Sequence, residues 1–528
     1  MSSVTELINS NFGGIRRSNS SFSSEKITCS DCQNVELYYT NMNSGVGLRT
    51  VKGNRSVSSR ANEGVLTELL PEHANIVGMF QSIQNGKTYF FVYAELNGSG
   101  TLYSFDHVQF TLTTIISGLK ATGTASGCDF QQGWLDFFVF SNGEEIKYIY
   151  SNTETHEALV VESAGNIKLT DVDGRDVKGL GLAVFDDRIW VFNDKVLWYS
   201  QKADCRVFNY VDPSILTSSG YIEFVKNITA IYPYLGSLAV FHKDSSALVK
   251  LDTTTGFIVS DESPGGCASY NALVFHGTDL FFYDDTKKGV FSFQQVVNGD
   301  KTLGTNIAYD IQDELIKIKP SQLNEIKALS VVTDDRNEAW FLIPISETEN
   351  HSIVMIYDYI RGEWIKRKCQ KINTIAVINN VLYSAGKTIY EEYSGDDFNG
   401  EFIESYYNCS VLNLGKDNTL KITKFPPRVA VDASYKNNFF VKYVKNYNHL
   451  KDPKIKEIKT KSLKNVMIYD SDCVYDDVYI YQPRSITVIA KLPSATFKAL
   501  EISFYTQFEQ QSFCIKSLEM SKIKVKQV

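Results

Sequence analysis

The stretch from Gly181 to Asp204 reads GLAVFDDRIWVFNDKVLWYSQKAD. Apolar residues run from Leu182 to Phe185, stop at Asp186 and Asp187, resume from Ile189 to Phe192, stop at Asn193 and Asp194, and resume from Val196 to Tyr199. Short runs rich in β-branched and aromatic residues, each closed by Asp or Asn, predict three antiparallel strands joined by tight turns.

The same grammar recurs along most of the chain. Apolar blocks can be anchored on Val92, Val139, Val184, Val240, Val274, Val331 and Val377, which span 285 residues in six intervals. The mean step is about 47 residues, within the range of four-stranded propeller blades. Individual steps of 47, 45, 56, 34, 57 and 46 are uneven, so six or seven blades are both compatible with the spacing. The predicted fold is all-β: an irregular β-propeller followed by a C-terminal β-sandwich.

Composition agrees. The 528 residues exceed one ordinary core, and 30 Tyr with 32 Phe against 11 Pro favour strands over helices. No apolar run is long enough to span a bilayer, and the opening MSSVTELINSNFGGIRRS lacks a signal-peptide core, so a soluble chain not exported by that route is expected. Nine scattered cysteines suit reduced thiols in a protein assembled in cytoplasm. The net charge of −8 supplies no overall attraction to nucleic acid.

Three regions follow from this reading. Residues 1–60, rich in Ser, Asn and Gly, are expected to be an arm ordered by a partner or by lying across its own fold. Residues 61–397 form the propeller. Residues 398–528 form the sandwich, interrupted by a lysine-rich insertion over 442–464.

Reactive motifs are weak. Cys29 and Cys32 form a C-x-x-C pair without a second pair at zinc-finger spacing. SAGKT at 384–388 ends like a phosphate loop, but Val381 stands where the first glycine belongs and a strand-like run follows. Asp171, Asp173 and Asp176 around Gly174 could hold calcium, though Leu182 replaces the closing glutamate of an EF-hand, and a solvated turn is favoured. Cys267 would need His242 or His276 as a base. The Asp pairs 186/187, 284/285, 334/335, 396/397 and 476/477 read as turn tips rather than glycosidase carboxylates. No enzyme, cofactor or metal site is expected.

The layout resembles the tail nozzle proteins of short-tailed bacteriophages, also called tail tubular protein B or head-completion (stabilisation) proteins. The resemblance is carried by an amino-terminal segment with Phe12-Gly13-Gly14-Ile15-Arg16-Arg17 and Gly47-Leu48-Arg49-Thr50-Val51-Lys52-Gly53-Asn54-Arg55, then an irregular propeller, then a sandwich closing with LPSATFKALEISFYTQFEQQSFCIKSLEMSKIKV at 492–525. It covers nearly the whole chain at the level of pattern. Family members tend to carry Pro-Gly where this chain has Lys52-Gly53.

The resemblance implies a ring of copies, six-fold, in the virion tail below the portal or head-to-tail adaptor, contacting tail fibre or tail-tip proteins and assembled in the bacterial host cytoplasm. Such a ring retains packaged DNA and later passes it without sequence recognition, with no membrane involved. Candidate assembly contacts are Arg16, Arg17, Arg49, Arg55, Lys451, Lys454, Lys456, Lys459, Lys461 and Lys464. The lysines are expected to face away from any DNA path, because neutralising phosphates would make the duplex stick. The competing expectation is a glycan- or receptor-binding propeller using Trp134, Trp190, Trp198, Trp340 or Trp364. All five lie on predicted strands, where blade-core packing is the commoner role.

Overall fold

The structure, a computed structural model, describes residues 4–9, 11–16, 27–39, 45–57, 59–62, 65–106, 108–151, 159–162, 169–212, 214, 216–298, 304–333, 336–345, 351–411, 419–423, 426–432, 435, 437–446, 453–460, 466–467, 480–481, 487–492 and 496–527. They fall into two compact units, one of residues 55–354 and 370–392, the other of residues 1–54, 355–369 and 393–528.

The first unit is the propeller. Seven small antiparallel sheets follow one another along the chain. Their first strands are Asn75–Gln84, Ser126–Gln132, Leu180–Phe185, Ile228–Tyr234, Leu273–His276, Lys327–Thr333 and Thr374–Ile378. Successive first strands lie side by side around the ring, the fourth and fifth sheets meeting through the stacked rings of Tyr232 and Phe275. The seventh first strand packs against that of the first sheet, which closes the ring.

Closure draws on residues from both ends of the repeat. The seventh sheet, made of Thr374–Ile378, Val381–Ala385 and Ile389–Glu392, takes its outermost strand from Asn54–Ser56. Val57 N–H donates to Ile389 O at 2.9 Å, and Ile76 N–H to Gly386 O at 2.8 Å. Val57, Ile76, Met79 and Phe90 share one buried cluster with Ile378, Tyr383 and Ile389.

Aromatic residues fill the spaces between sheets. Phe91 and Phe138 stack with centroids 4.6 Å apart between the first and second sheets. Trp190 and Phe257 meet edge to face at 4.8 Å between the third and fourth. Burying each such side chain contributes roughly 1.5–3 kcal/mol. Period-2 strands with large residues on both faces therefore make sense: each inner sheet has a neighbour on either side.

The expected meander at 181–199 is present as Leu180–Phe185, Arg188–Asn193 and Val196–Tyr199. Asp186 and Asp187 both take φ of 52°, the left-handed pair that a two-residue hairpin turn requires. Third strands end at Asp106 and Asp252, whose Oδ1 atoms each accept two N–H groups of the following turn, from Val108 and Gln109 and from Thr254 and Thr255.

The uneven spacing has a structural origin. Val92, Val139 and Val240 lie on second strands, whereas Val184, Val274, Val331 and Val377 lie on first strands. Measured between the starts of second strands, Lys87, Leu135, Arg188, Ser237, Asp279, Arg336 and Val381, the steps are 48, 53, 49, 42, 57 and 45. Among the described residues the fifth sheet has three strands, and Phe293–Asn298 then turns as a short helix.

The second unit is a sandwich of a six-stranded and an eight-stranded sheet. Here the expected boundaries need correction. Residues 1–60 do not stand apart as an arm: Val4–Asn9 pairs with Cys514–Gln527, Ile27–Gln33 with Tyr406–Cys409, and Val46–Thr50 with Val35–Tyr39 and Cys514–Gln527. The reason is apolar burial. Phe12, Ile15, Ile27, Val35 and Leu48 are all core residues, with Phe12 edge-on to Tyr407 at 5.7 Å.

Residues 355–369 carry most of the outer strands His351–Asp358 and Glu363–Gln370 of the sixth propeller sheet, as the sequence assigned them, yet group with this second unit. Gly14 N–H donates to Glu363 Oε2 at 2.9 Å, and a Cβ at Gly14 would lie 2.3 Å from Trp364 O, so only glycine permits this approach. The lysine-rich segment is not simply an insertion either: Lys442 and Lys445 lie on Asn438–Lys445, and Lys454, Lys456 and Lys459 on Lys454–Lys459.

Candidate functional site

The candidate assembly residues are scattered in their local roles. Arg16 Nη2 lies 3.4 Å from Glu363 Oε1. Arg49 Nε donates to Glu36, its Nη1 donates to Tyr435 Oη at 3.1 Å, and its guanidinium covers the Tyr38 ring. Arg49 is therefore engaged within its own unit, unlike the exposed Arg55. Arg17, Lys451, Lys461 and Lys464 lie outside the described residues.

Lys454, Lys456 and Lys459 are brought together on Lys454–Lys459, the edge strand of the six-stranded sheet. Lys456 Nζ donates to Lys491 O, and Lys459 pairs with Glu457 at 2.7 Å. Charged side chains on an edge discourage pairing with another chain.

The other motifs are absorbed into hydrogen bonding. Asp171 is buried rather than solvated: its Oδ1 accepts the N–H groups of Asp173 and Arg175, and its Oδ2 accepts Arg175 Nε and Trp198 Nε1. Burial works against its charged form, yet these bonds outweigh it and hold the carboxyl below the usual range. The Arg175 guanidinium, stacked 3.8 Å from the Tyr221 ring, supplies the positive charge in this turn.

Cys267 Sγ donates to Ser269 O at 3.2 Å, and burial pushes the thiol up to about 12. Its link to His242 is through the backbone, N–H to carbonyl at 3.0 Å, while the ring of His242 bonds Asn227 O and that of His276 bonds Ser330 Oγ. A thiolate nucleophile with an imidazole base is not assembled there.

Cys29 and Cys32 are turned inward together by a register shift in Ile27–Gln33, and Cys29 faces Cys409 across the ladder. Burial raises the Cys29 thiol well above its ordinary range. Among the described residues no three His, Cys, Asp or Glu side chains group as metal ligands. SAGKT lies on a hairpin turn into Ile389–Glu392, with Gly386 N–H donating to Thr388 O.

Four tryptophans, Trp190, Trp198, Trp340 and Trp364, are buried. Trp134, expected on a strand, instead sits in the turn between Ser126–Gln132 and Leu135–Ser141 and is 85% exposed. Glycine and a polar pair before it, Gln131-Gln132-Gly133, were the turn signal.

One concave site emerges that no motif announced. A cleft of about 340 Å³ opens where the first strands begin, lined by Asn75 and Val77 of the first sheet, Thr122–Thr124, Glu325 and Lys327, Leu342–Pro344, and Lys371–Asn373. Lys327 heads its strand opposite Leu342, and its Nζ donates to Val77 O at 2.8 Å. Burial pulls its ammonium down to about 8. Asn373 donates from Nδ2 to Asn75 Oδ1 at 2.6 Å. The alternation of Lys327-Ala-Leu-Ser-Val-Val pointed to a strand, but nothing in it singled out its first residue.

No family model and no curated protein matches the chain. Among solved structures, the chain is similar to the WD40 domain of Pan2 from Neurospora crassa, at 6% identity and a TM-score of 0.36, over 65% of this chain and 96% of that one.

Proposed function

We propose that the chain is a structural subunit of a short-tailed virus particle, forming with its own copies a ring-shaped nozzle below the portal or adaptor. In this reading the ring retains packaged DNA and provides its conduit at ejection. The observation that carries it is how the fold uses its reactive groups. Asp171, Cys267 and His242 each make their bonds within the local sheet structure, which leaves a rigid scaffold. The order of parts and the acidic net charge of −8, which favours passage of DNA over adhesion, support it further.

A receptor-binding propeller of the virion is the second reading, favoured by the exposed Trp134 alone. A glycan platform built on tryptophans would use several.

Immunogold labelling of virus particles from the source tests both. Gold confined to the short tail below the portal vertex is the expected result. Gold on peripheral fibres would favour receptor binding, and none on particles would remove both readings.

A further inference from the structure

We propose that the cleft at the strand-start end of the propeller binds a carboxylate, with Lys327 as its countercharge. This goes beyond the nozzle reading and does not depend on it.

The position of Lys327 comes first. It belongs to the sixth sheet and Val77 to the first, with the seventh between them around the ring. A direct bond from Lys327 Nζ to Val77 O at 2.8 Å therefore links the sixth sheet to the first where their first strands begin. Both residues line the cleft there.

Its bonding is incomplete. An ammonium has three donors, and Val77 O takes one. Among the described residues no carboxylate pairs with it, and burial is the whole cause of its lowered pKa. A desolvated cation without an anion is costly to the folded state, so an arriving carboxylate would recover energy that the empty cleft forgoes.

The surroundings suit a single negative charge. The charged residues lining the cleft are Lys327, Lys371 and Glu325, two cations against one anion. The nearby Glu95 carboxylate is already engaged by the N–H groups of Thr122 and Gly123. Asn75 accepts from Asn373 through Oδ1, which directs its own amide hydrogens elsewhere. One partly buried ammonium matches a monovalent carboxylate better than a phosphate dianion, which calls for more positive charge. The volume of about 340 Å³ is in the range of small-ligand sites.

A free small acid and a glutamyl side chain of a peptide share this chemistry. Calorimetric titration of the full chain with butyrate, with a short capped peptide carrying one Glu, with its Gln counterpart and with inorganic phosphate separates them. Binding requires the protonated lysine and the ionised acid, so affinity should be level between about pH 6 and neutrality and fall as pH rises past about 8, with proton uptake near that value. Lys327→Met should weaken binding at least tenfold, whereas Asn75→Ala should weaken it less and keep the pH profile. Preference for the peptide over butyrate would identify a protein segment as the source, and the reverse a metabolite. The proposal fails if Lys327→Met binds as the parent does, if phosphate binds tenfold tighter than both acids, or if neither acid binds. Thermal melting of both variants establishes that they remain folded.

Discussion

The indole N–H of Trp198 donates to Asp171 Oδ2 at 2.9 Å, inside the third propeller sheet's junction with the second. The same carboxylate organises the turn that carries Arg175. Asp171→Asn would turn an acceptor toward two side-chain donors into a group that itself donates, at a cost of about 2–4 kcal/mol. Because the folded pKa of Asp171 is depressed, its contribution is present above the unfolded carboxylate value and is lost as pH falls through the folded one. Urea midpoints should thus differ between parent and variant at pH 6 and converge only once the pH is below the depressed folded value, under the ordinary carboxylate range near ~4.

Arg188 is fully buried, donating from Nη1 to Ser200 O and Ser218 O and from Nη2 to Leu216 O. A lysine has no planar fork to reach these carbonyls together. Arg188→Lys should cost roughly 3 kcal/mol in chemical denaturation and open the segment around Leu216 to proteases.

Two glycines give a paired test. Gly86 has φ of 73° with open space around it, whereas Gly179 has φ of 145° and a Cβ there would sit 1.9 Å from Phe192 O. Gly86→Ala should lose about 1 kcal/mol from backbone strain alone. Gly179→Ala should lose several times more, since backbone must move; equal melting temperatures for the two variants would contradict this.

Ile389 is wholly buried where the ring closes, and its carbonyl receives Val57 N–H. Ile389→Ala should destabilise by about 2–5 kcal/mol. Limited proteolysis should then cut first near residues 57 and 392, at the closing strands, rather than within the other sheets.

Lysines guard the edge strand Lys454–Lys459. Replacing Lys454 and Lys459 by Val removes that protection and should make the chain self-associate, read as increased light scattering at unchanged secondary structure.

Much of the propeller could be read in advance because each turn carries its own chemistry. Asp186-Asp187 marks a hairpin whatever surrounds it, and Asp106 and Asp252 end strands by capping the next turn. Blade phase was harder, since first and second strands are equally apolar and Val139 and Val184 look alike while occupying different strands. The strands of residues 4–33 escaped notice because key partners lie hundreds of residues away, as with Cys29 opposite Cys409. Lys327 escaped for a related reason: what sets it apart is a desolvated ammonium with no paired carboxylate among the described residues, a property of the folded ring.

The pairing of Val4–Asn9 with a strand ending at Gln527 has a consequence for a chain still being made. The propeller's last strand is complete once Glu392 has left the ribosome, and it can then capture Asn54–Ser56 and close. Gln527 emerges 135 residues later, on the order of ten seconds at ordinary translation rates. During that interval Val4–Asn9 waits without its partner. A chain that stops short never supplies that partner, so its opening strand stays open to proteases. Only chains translated through this strand can complete the sandwich, so the weave of early and late strands ties the folding of the second unit to the synthesis of its last strand.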